Sequence, residues 1–342
     1  MQGSVHLFDS LPQVTEPARR SPLFAGALPR ANPLVGLIRN PRSHRNRGHR
    51  SAPTGAFRLL IEAPARREDL MAVLNRFADQ QVDYIAIDGG DGTVRDILTC
   101  GASVFGDCWP DLILLPGGKT NALAHDLGLP SGWTLSDALE AAGRARRVQR
   151  SPLVVAGRDM PGSQVQGFVF GAGVYTTAIG LGQSAHRRGA FGALAVGATT
   201  LWSMWQALTG AADNIWRRAT PMRLRDGAGR DLPHSSLGAA DERYLIFAST
   251  LDRFPAGLRP FRGVKGRLRV ALLDHAGWGA ILRLPRMFMG YPGRSPERFG
   301  VHRAGLDRVE IDLGDSFILD GEAFPAGSYT MSIGPKLRFV VP

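Results

Sequence analysis

Lysine is almost missing from this chain of 342 residues: it occurs only at 119, 265 and 336, among 41 basic residues. The basic charge is therefore nearly all arginine, and against 30 acidic residues it leaves a formal net charge of +11. Such a balance suits anionic membrane surfaces, nucleic acid or phosphorylated substrates, and does not choose among them. Cysteine is scarce too. Cys100 and Cys108 match no zinc spacing and read as free thiols near a loop, in a reducing compartment, which excludes a disulfide framework. The first twenty residues hold no basic segment followed by an apolar core, so no signal peptide is expected. No internal repeat stands out. Two common nucleotide fingerprints also fail: a P-loop around Gly118-Lys119-Thr120 would need glycine where Ile113 stands, and a dinucleotide turn at Gly90-Asp91-Gly92 would need glycine at Arg95.

What is present is organised around Asp88-Gly89-Gly90-Asp91-Gly92-Thr93. The run Val82 to Ile87 before it has the β-branched and aromatic content of a buried strand, and Val94 to Leu98 after it reads as the first turns of a helix. Glycines let the backbone turn sharply and approach a ligand closely. A strand-to-helix turn of this kind presents free N–H groups at a helix N-terminus, a natural seat for phosphate. Asp91 is the anomaly. An anion there repels phosphate unless a metal or a catalytic proton is involved, which points to phosphoryl transfer.

Around this turn the chain alternates strand and helix. Residues 1–32 read as a poorly ordered lead-in, followed by a strand at Leu34 to Ile38 and by Asn40-Pro41-Arg42-Ser43. Residues 39–50 hold five Arg and two His, a solvated basic loop or a phosphate-contacting one. A strand at Phe57 to Ile61 and an amphipathic helix at 65–80 come next, with Leu70, Val73, Leu74 and Phe77 on one face. A strand at Asp111 to Leu115 ends in Gly117-Gly118-Lys119-Thr120-Asn121, and a further helix follows. This pattern predicts a mostly parallel sheet with right-handed crossovers, and ligands bind such sheets beyond the carboxyl ends of the strands. Three polar loops, near 40–43, 89–93 and 117–121, fall at that edge.

Beyond about Arg150 short β-rich runs separated by Gly, Pro and Asp predict a second, antiparallel domain. The expected division is a nucleotide-binding domain at 33–149 together with the C-terminal strand 326–342, whose final run, Lys336 to Val341, returns to it, and a β-rich substrate domain at 150–325. Residues 189–212 are uncharged but only moderately apolar, and their stripe (Phe191, Leu194, Leu201, Trp205, Leu208) suits a helix lying against a lipid pocket or on a membrane better than one crossing it. Between Trp278 and Tyr291, apolar residues interleave with Arg283 and Arg286. Core packing is the plain reading of that stripe, and membrane docking is the functional alternative.

Near the C-terminus Phe317-Ile318-Leu319 leads into Asp320-Gly321-Glu322. Taken alone, Asp-Gly between apolar runs is a hairpin turn. A partly buried carboxylate pair can also serve as a general base for an alcohol.

Together these pieces resemble the diacylglycerol kinase catalytic-domain superfamily, which includes bacterial lipid kinases and the sphingosine and ceramide kinases. The resemblance rests on Asn40-Pro41-x-Ser43, GGDGT at 89–93, PGGxTNALA at 116–124 and LDGE at 319–322, in the family's order, over about residues 34–325. It implies an α/β fold: an N-terminal three-layer nucleotide-binding domain like that of NAD kinase and phosphofructokinase, and a C-terminal antiparallel β-sandwich-like domain with a helical insert. Carried over by residue, Asn40 and Ser43 contact the nucleotide phosphates, and Gly89, Gly90, Asp91, Gly92 and Thr93 cradle ATP. Gly117, Gly118, Thr120 and Asn121 complete the nucleotide wall. Asp91 is placed near Mg²⁺ or the acceptor hydroxyl, and Asp320 and Glu322 activate a lipid hydroxyl.

The departures are informative. Ala122 stands where many bacterial members carry Asp, so part of their metal network is missing, and Asn-Ala-Leu-Ala looks more like the sphingosine and ceramide kinase branch. Arg95-Asp96 replaces Asn-Glu. Lys265-Gly266 replaces Asp-Gly, against a structural metal in that loop. Thr177 stands where sphingosine kinases hold an amine-binding Asp, so a diacylglycerol- or ceramide-like acceptor fits better than a free sphingoid base. The expectation is an ATP- and Mg²⁺-dependent lipid kinase, cytoplasmic and peripheral at the membrane, with a homodimer left open. The alternatives are an NAD kinase, which PGGxTNALA and LDGE disfavour, and a non-catalytic lipid or nucleotide sensor, motivated by Arg95 and Ala122. Nucleic-acid binding is not expected, because charge is not joined by an aromatic-rich basic motif.

Overall fold

The computed structural model describes residues 8–14, 30, 32–41, 57–118, 120–144, 146–178, 214 and 216–342; Ser43, most of the basic loop and the stretch 189–212 lie outside them. In the N-terminal region a sheet forms from β1 (Leu34–Arg39), β2 (Arg58–Glu62), β3 (Tyr84–Gly89), β4 (Asp111–Pro116), β5 (Arg147–Arg150) and the last strand, β18 (Leu337–Val340). Its order is β2-β1-β3-β4-β18-β5, parallel except for the β18–β5 pair. The strands read as continuous apolar runs because both faces are covered. Ile85, Ile87, Leu112 and Leu114 face the helices α1 (Asp69–Asp79) and α2 (Asp91–Phe105), whereas Tyr84, Ala86, Ile113 and Leu115 face α4 (Leu135–Gly143). The result is three layers. Strand order reverses at β1, so the crevice between the ends of β1 and β3 is the switch point where such sheets bind ligands.

The remaining strands make two antiparallel sheets. The outer one has the order β10-β9-β14-β17-β6-β7, from β6 (Leu153–Gly157), β7 (Gln164–Gly167), β9 (Thr220–Asp226), β10 (Glu242–Arg243), β14 (Arg308–Leu313) and β17 (Gly327–Ile333). The inner one runs β13-β12-β11-β8-β15-β16, from β8 (Val169–Gly173), β11 (Leu245–Ser249), β12 (Leu268–Leu273), β13 (Val301–Leu306), β15 (Phe317–Leu319) and β16 (Glu322–Phe324). Alternation assigns the faces: Met222, Leu224, Val309, Ile311, Tyr329 and Met331 of the outer sheet meet Phe170, Ile246, Ala248, Val270 and Phe317 of the inner one. The inner sheet's opposite face turns Val169, Phe247 and Ala271 toward the first domain's helices. Its strands are therefore buried on both sides, and this sheet is the floor on which the two halves meet.

Three expectations need correction. Residues 8–14, read as part of a poorly ordered lead-in, pack on the second domain. Leu11 is 3% exposed in the sandwich core, and backbone hydrogen bonds tie Phe8 to Ala323, Val14 to Gly162 and Gln164 to Pro12. Apolar residues at 8, 11 and 14 are enough to bury one side of an extended strap. Residues 327–333, expected with the first domain, pair with β14 and β6, so within 326–342 it is β18 that joins the first sheet. Finally, α2 starts at Asp91 and runs through Cys100, so half of the glycine turn is already helix. Among the described residues no helix is long and apolar enough to cross a membrane.

Candidate active site

The first wall of the site is built from the ends of β1, β3 and β4. Asn40, directly after β1, donates its backbone N–H to the Asp88 carbonyl (3.0 Å) and its side-chain Nδ2 to the Thr93 hydroxyl (2.8 Å). It spans the switch-point crevice. Gly90 is the extended N-cap of α2, and its carbonyl accepts from the N–H groups of Thr93 and Val94. The two glycine loops touch backbone to backbone. Gly117 N–H donates to the Gly89 carbonyl (2.9 Å), and a Cβ at Gly90 would sit 2.8 Å from the Gly118 Cα. Only glycine allows that approach. Asn121 adopts the left-handed conformation (φ 49°), and its side-chain amide closes on Gly118, accepting from the N–H (2.9 Å) and donating to the carbonyl (2.8 Å). Thr120 is exposed beside it. The N–H groups of Asp91 and Gly92 precede the first intrahelical bond, the position at which helix N-termini commonly seat an anion.

Asp91 does not compete for that seat. Its carboxylate turns to the N-terminus of α3 (Ala122–Leu127) and accepts from the N–H groups of Ala122 (3.0 Å) and Leu123 (3.3 Å). Asn121 gives α3 no side-chain cap, so Asp91 supplies it from the first turn of α2. Burial pushes its carboxyl above the usual range, opposed by those N–H groups and by His125.

The opposite wall is the β15–β16 hairpin. Leu319 pairs with Glu322 across a two-residue turn in which Asp320 (φ 46°) and Gly321 (φ 86°) are both left-handed, the geometry of a type I′ turn. Asp-Gly is thus a hairpin turn, as its sequence reads when taken alone. The Asp320 carboxylate accepts from the N–H groups of Phe168 (3.0 Å) and Val169 (2.9 Å) at the start of β8. Gly167 makes room for it, since a Cβ there would lie 2.5 Å from Oδ2. Burial, then the charge of Asp91, pushes the Asp320 carboxyl up to about 7; the two N–H groups and Arg95 oppose the shift. Glu322 is half-buried at the first position of β16.

Thus Asp91 and Asp320, far apart in sequence, are brought within electrostatic reach of each other at the junction of the two halves. The structure adds two residues to this constellation. Tyr175, in a helical turn at 174–178 after β8, lies against Gly171 and carries a hydroxyl whose pKa is raised by burial and by both aspartates. No motif marked it. Arg95, 2% exposed, crosses from α2 to donate to the Leu319 carbonyl (3.4 Å) and pairs with Asp96 (2.9 Å). Its signal was its place in the pattern, where the dinucleotide turn wants glycine and the lipid kinases carry Asn. Away from the carboxylates, Asp126 of α3 accepts from the N–H groups of Asp252 and Arg253 and pairs with Arg150, fastening the other side of the junction.

Comparison with known proteins bears on the fold that carries these residues. Residues 35–153 match the diacylglycerol kinase catalytic domain. A search of curated proteins returned no match. Among solved structures, a diacylglycerol kinase from Bacillus anthracis str. Sterne superposes with a TM-score of 0.58 at 16% identity, over 92% of this chain and 98% of that one. Another structure from the same organism, provisionally named a diacylglycerol kinase, gives a TM-score of 0.60 at 15% identity, over 90% and 96%. At such identities the likeness speaks for a shared fold across nearly the whole of both chains. The family match thus covers the first domain apart from β18, and the first residue of β6, and the solved structures extend the likeness in fold to the second domain.

Proposed function

We propose that this protein transfers the γ-phosphoryl group of ATP to the hydroxyl of a lipid, a diacylglycerol- or ceramide-like acceptor, at the cytoplasmic face of a membrane. The observation that carries the reading is Asp320. A carboxylate with a pKa near 7 stands across the junction from the glycine loops of a lipid-kinase domain. A base poised near the working pH is suited to taking the proton of an attacking alcohol. In this reading the α2 N-terminus and the paired glycine loops hold the phosphates, and Asn40 keeps the crevice between β1 and α2 at fixed width. Asp320 accepts the hydroxyl proton as the oxygen attacks, and Glu322 flanks the same turn. Positioning and charge compensation supply most of the catalysis in such transfers.

ATP fits the residues present, because the close approach of Gly90 and Gly118 leaves backbone rather than side chains at the crevice. Among the described residues no group of three or more His, Cys, Asp or Glu is arranged to hold a metal. In this reading Mg²⁺ would come with the nucleotide, and Asp91, each of whose oxygens keeps a lone pair beyond its α3 hydrogen bond, would be its protein ligand; Mg²⁺ commonly binds through one or two carboxylates plus phosphates. When bound it would neutralise phosphate charge.

The test is a radiolabelled-ATP assay against diacylglycerol, monoacylglycerol, ceramide and sphingosine, with NAD as control. Phosphorylation of a lipid without an amine is expected. Label in NAD alone would make the protein an NAD kinase, and ATP or lipid binding without turnover would make it a sensor.

A further inference from the structure

A surface element of the second domain is left unexplained by the site. After β12 the chain makes two short helices, α5 (Trp278–Ile281) and α6 (Leu284–Phe288). Their inner side is core: Ala280, Ile281 and Met287 are buried. Their outer side is not. Trp278, Leu282, Met289 and Tyr291 are 48–59% exposed, and they are four of the seven large hydrophobic residues exposed among the described residues. Seven scattered residues would be ordinary; four within fourteen positions form a patch of the kind that marks an interaction surface.

The charge around the patch selects its partner. The segment 253–267 packs under α6, with the Arg259 N–H donating to the Phe288 carbonyl (2.8 Å). It exposes Arg253, Arg259, Arg262, Lys265 and Arg267, and Arg286, Arg294 and Arg298 are exposed from the helices onward. Across 253–267 and 278–298 the sole acidic residue is Glu297. Arg262 also stacks on the Tyr291 ring, 4.8 Å from its centre, so cation and aromatic are presented together. Trp and Tyr with arginines around Leu and Met suit the boundary between anionic headgroups and acyl chains.

The patch is also continuous with the site. Phe288 meets Phe247 edge-on at 5.7 Å, and Phe247 packs on Tyr175 at 5.7 Å. Phe247 points to the first-domain side of the inner sheet, away from the sandwich core, and Tyr175 lies against Gly171, which pairs with Ile318 two residues before Asp320. An unbroken aromatic layer therefore runs from the exposed helices to the carboxylates.

We propose that the face formed by α5, α6 and the segment 259–267 docks on an anionic lipid bilayer, with Trp278, Leu282, Met289 and Tyr291 entering the interface. The inference rests on the lipid-kinase reading for its purpose and on the patch alone for its existence. The experiment is sedimentation of the full chain with vesicles, of phosphatidylcholine alone or mixed with phosphatidylglycerol. Comparison is with Trp278→Ser/Leu282→Ser and with Arg286→Glu/Arg294→Glu. The wild type partitions to the anionic vesicles and less so as salt rises. The apolar pair lowers partitioning roughly tenfold at every salt concentration, and the charge pair lowers it while flattening the salt dependence. Turnover of a short-chain, water-soluble acceptor is unchanged in the apolar pair. Wild-type partitioning by both variants overturns the proposal, as does a patch whose removal only dissociates a dimer. Vesicle binding that follows the expected pattern without phosphorylation of any lipid supports the docking face and refutes the kinase reading.

Discussion

Asp91 and Asp320 each sit where backbone N–H groups offset a charge that burial opposes, and Arg95 stands between their two elements. The balance at Asp320 has a pH signature. Its folded pKa is raised, so its ionisation opposes folding: any stability it confers is present in acid and lost as pH rises toward about 7. Activity runs the other way, because the base must be ionised. Below about pH 7 kcat/KM should fall about tenfold per pH unit, and it should level off above. Arg95→Met removes the cation that opposes the shift, so the limb should move to higher pH, while Arg95→Lys should stay near the wild type. A limb unmoved in Arg95→Met would assign Arg95 to packing only, and pH–rate profiles of the three proteins decide it. The placement of Asn40, the glycine loops and Asp320 at strand ends was legible because each belongs to a turn motif with its own chemistry. Asp91's cap on α3 was not, since the N–H groups it meets open another helix, 31 and 32 residues further along the chain.

Elements were legible where periodicity was strong. The alternating strands and helices of 34–150 and the face of α1 follow from spacing alone. The start of α2 at Asp91 did not, because Asp-Gly-Thr carries a turn signature and the helix is set by the Gly90 cap. The strap at 8–14 was lost for a related reason: three apolar residues spaced by polar ones are too few to signal until β7 and β16 are there to receive them. The contact between the glycine loops yields a prediction at this scale. A Cβ on Gly118 would lie 2.6 Å from the Gly90 Cα, which is backbone and cannot swing aside, and 2.9 Å from the Asn121 side-chain oxygen that closes on the loop. Gly118→Ala should part the loops, costing about 1–3 kcal/mol and weakening ATP binding more than lipid binding. Urea denaturation and an ATP isotherm check it. An unchanged ATP affinity would remove this contact from the nucleotide site.

At the scale of the whole molecule, the proposed transfer requires two halves held at a fixed offset. One seam is Arg95 and Thr99 of α2 against β15 and β7; Thr99 Oγ1 accepts from the Gln166 N–H (3.0 Å). The other is Asp126. Its side chain is fully buried while Arg150, partly exposed, can still reach water without it. Asp126→Ala would strand the N–H groups of Asp252 and Arg253 and should cost about 2–4 kcal/mol, with lipid turnover falling further than ATP affinity; thermal unfolding and kinetics together test this. The sequence showed that two halves exist. It could not show their mutual placement, because the residues of the junction, Asp126, Gln166 and Tyr175, look like ordinary surface or core positions until both sheets are built.

The central claim is that Asp320 takes the acceptor's proton at the junction. Asn at 320 keeps the side-chain shape and tolerates the left-handed backbone, so Asp320→Asn isolates the charge. Single-turnover phosphorylation of the lipid, measured beside ATP binding on the same preparation, tests it directly. The account predicts that transfer is abolished while ATP affinity is nearly unchanged. Equal loss of both, or transfer that survives, would contradict it.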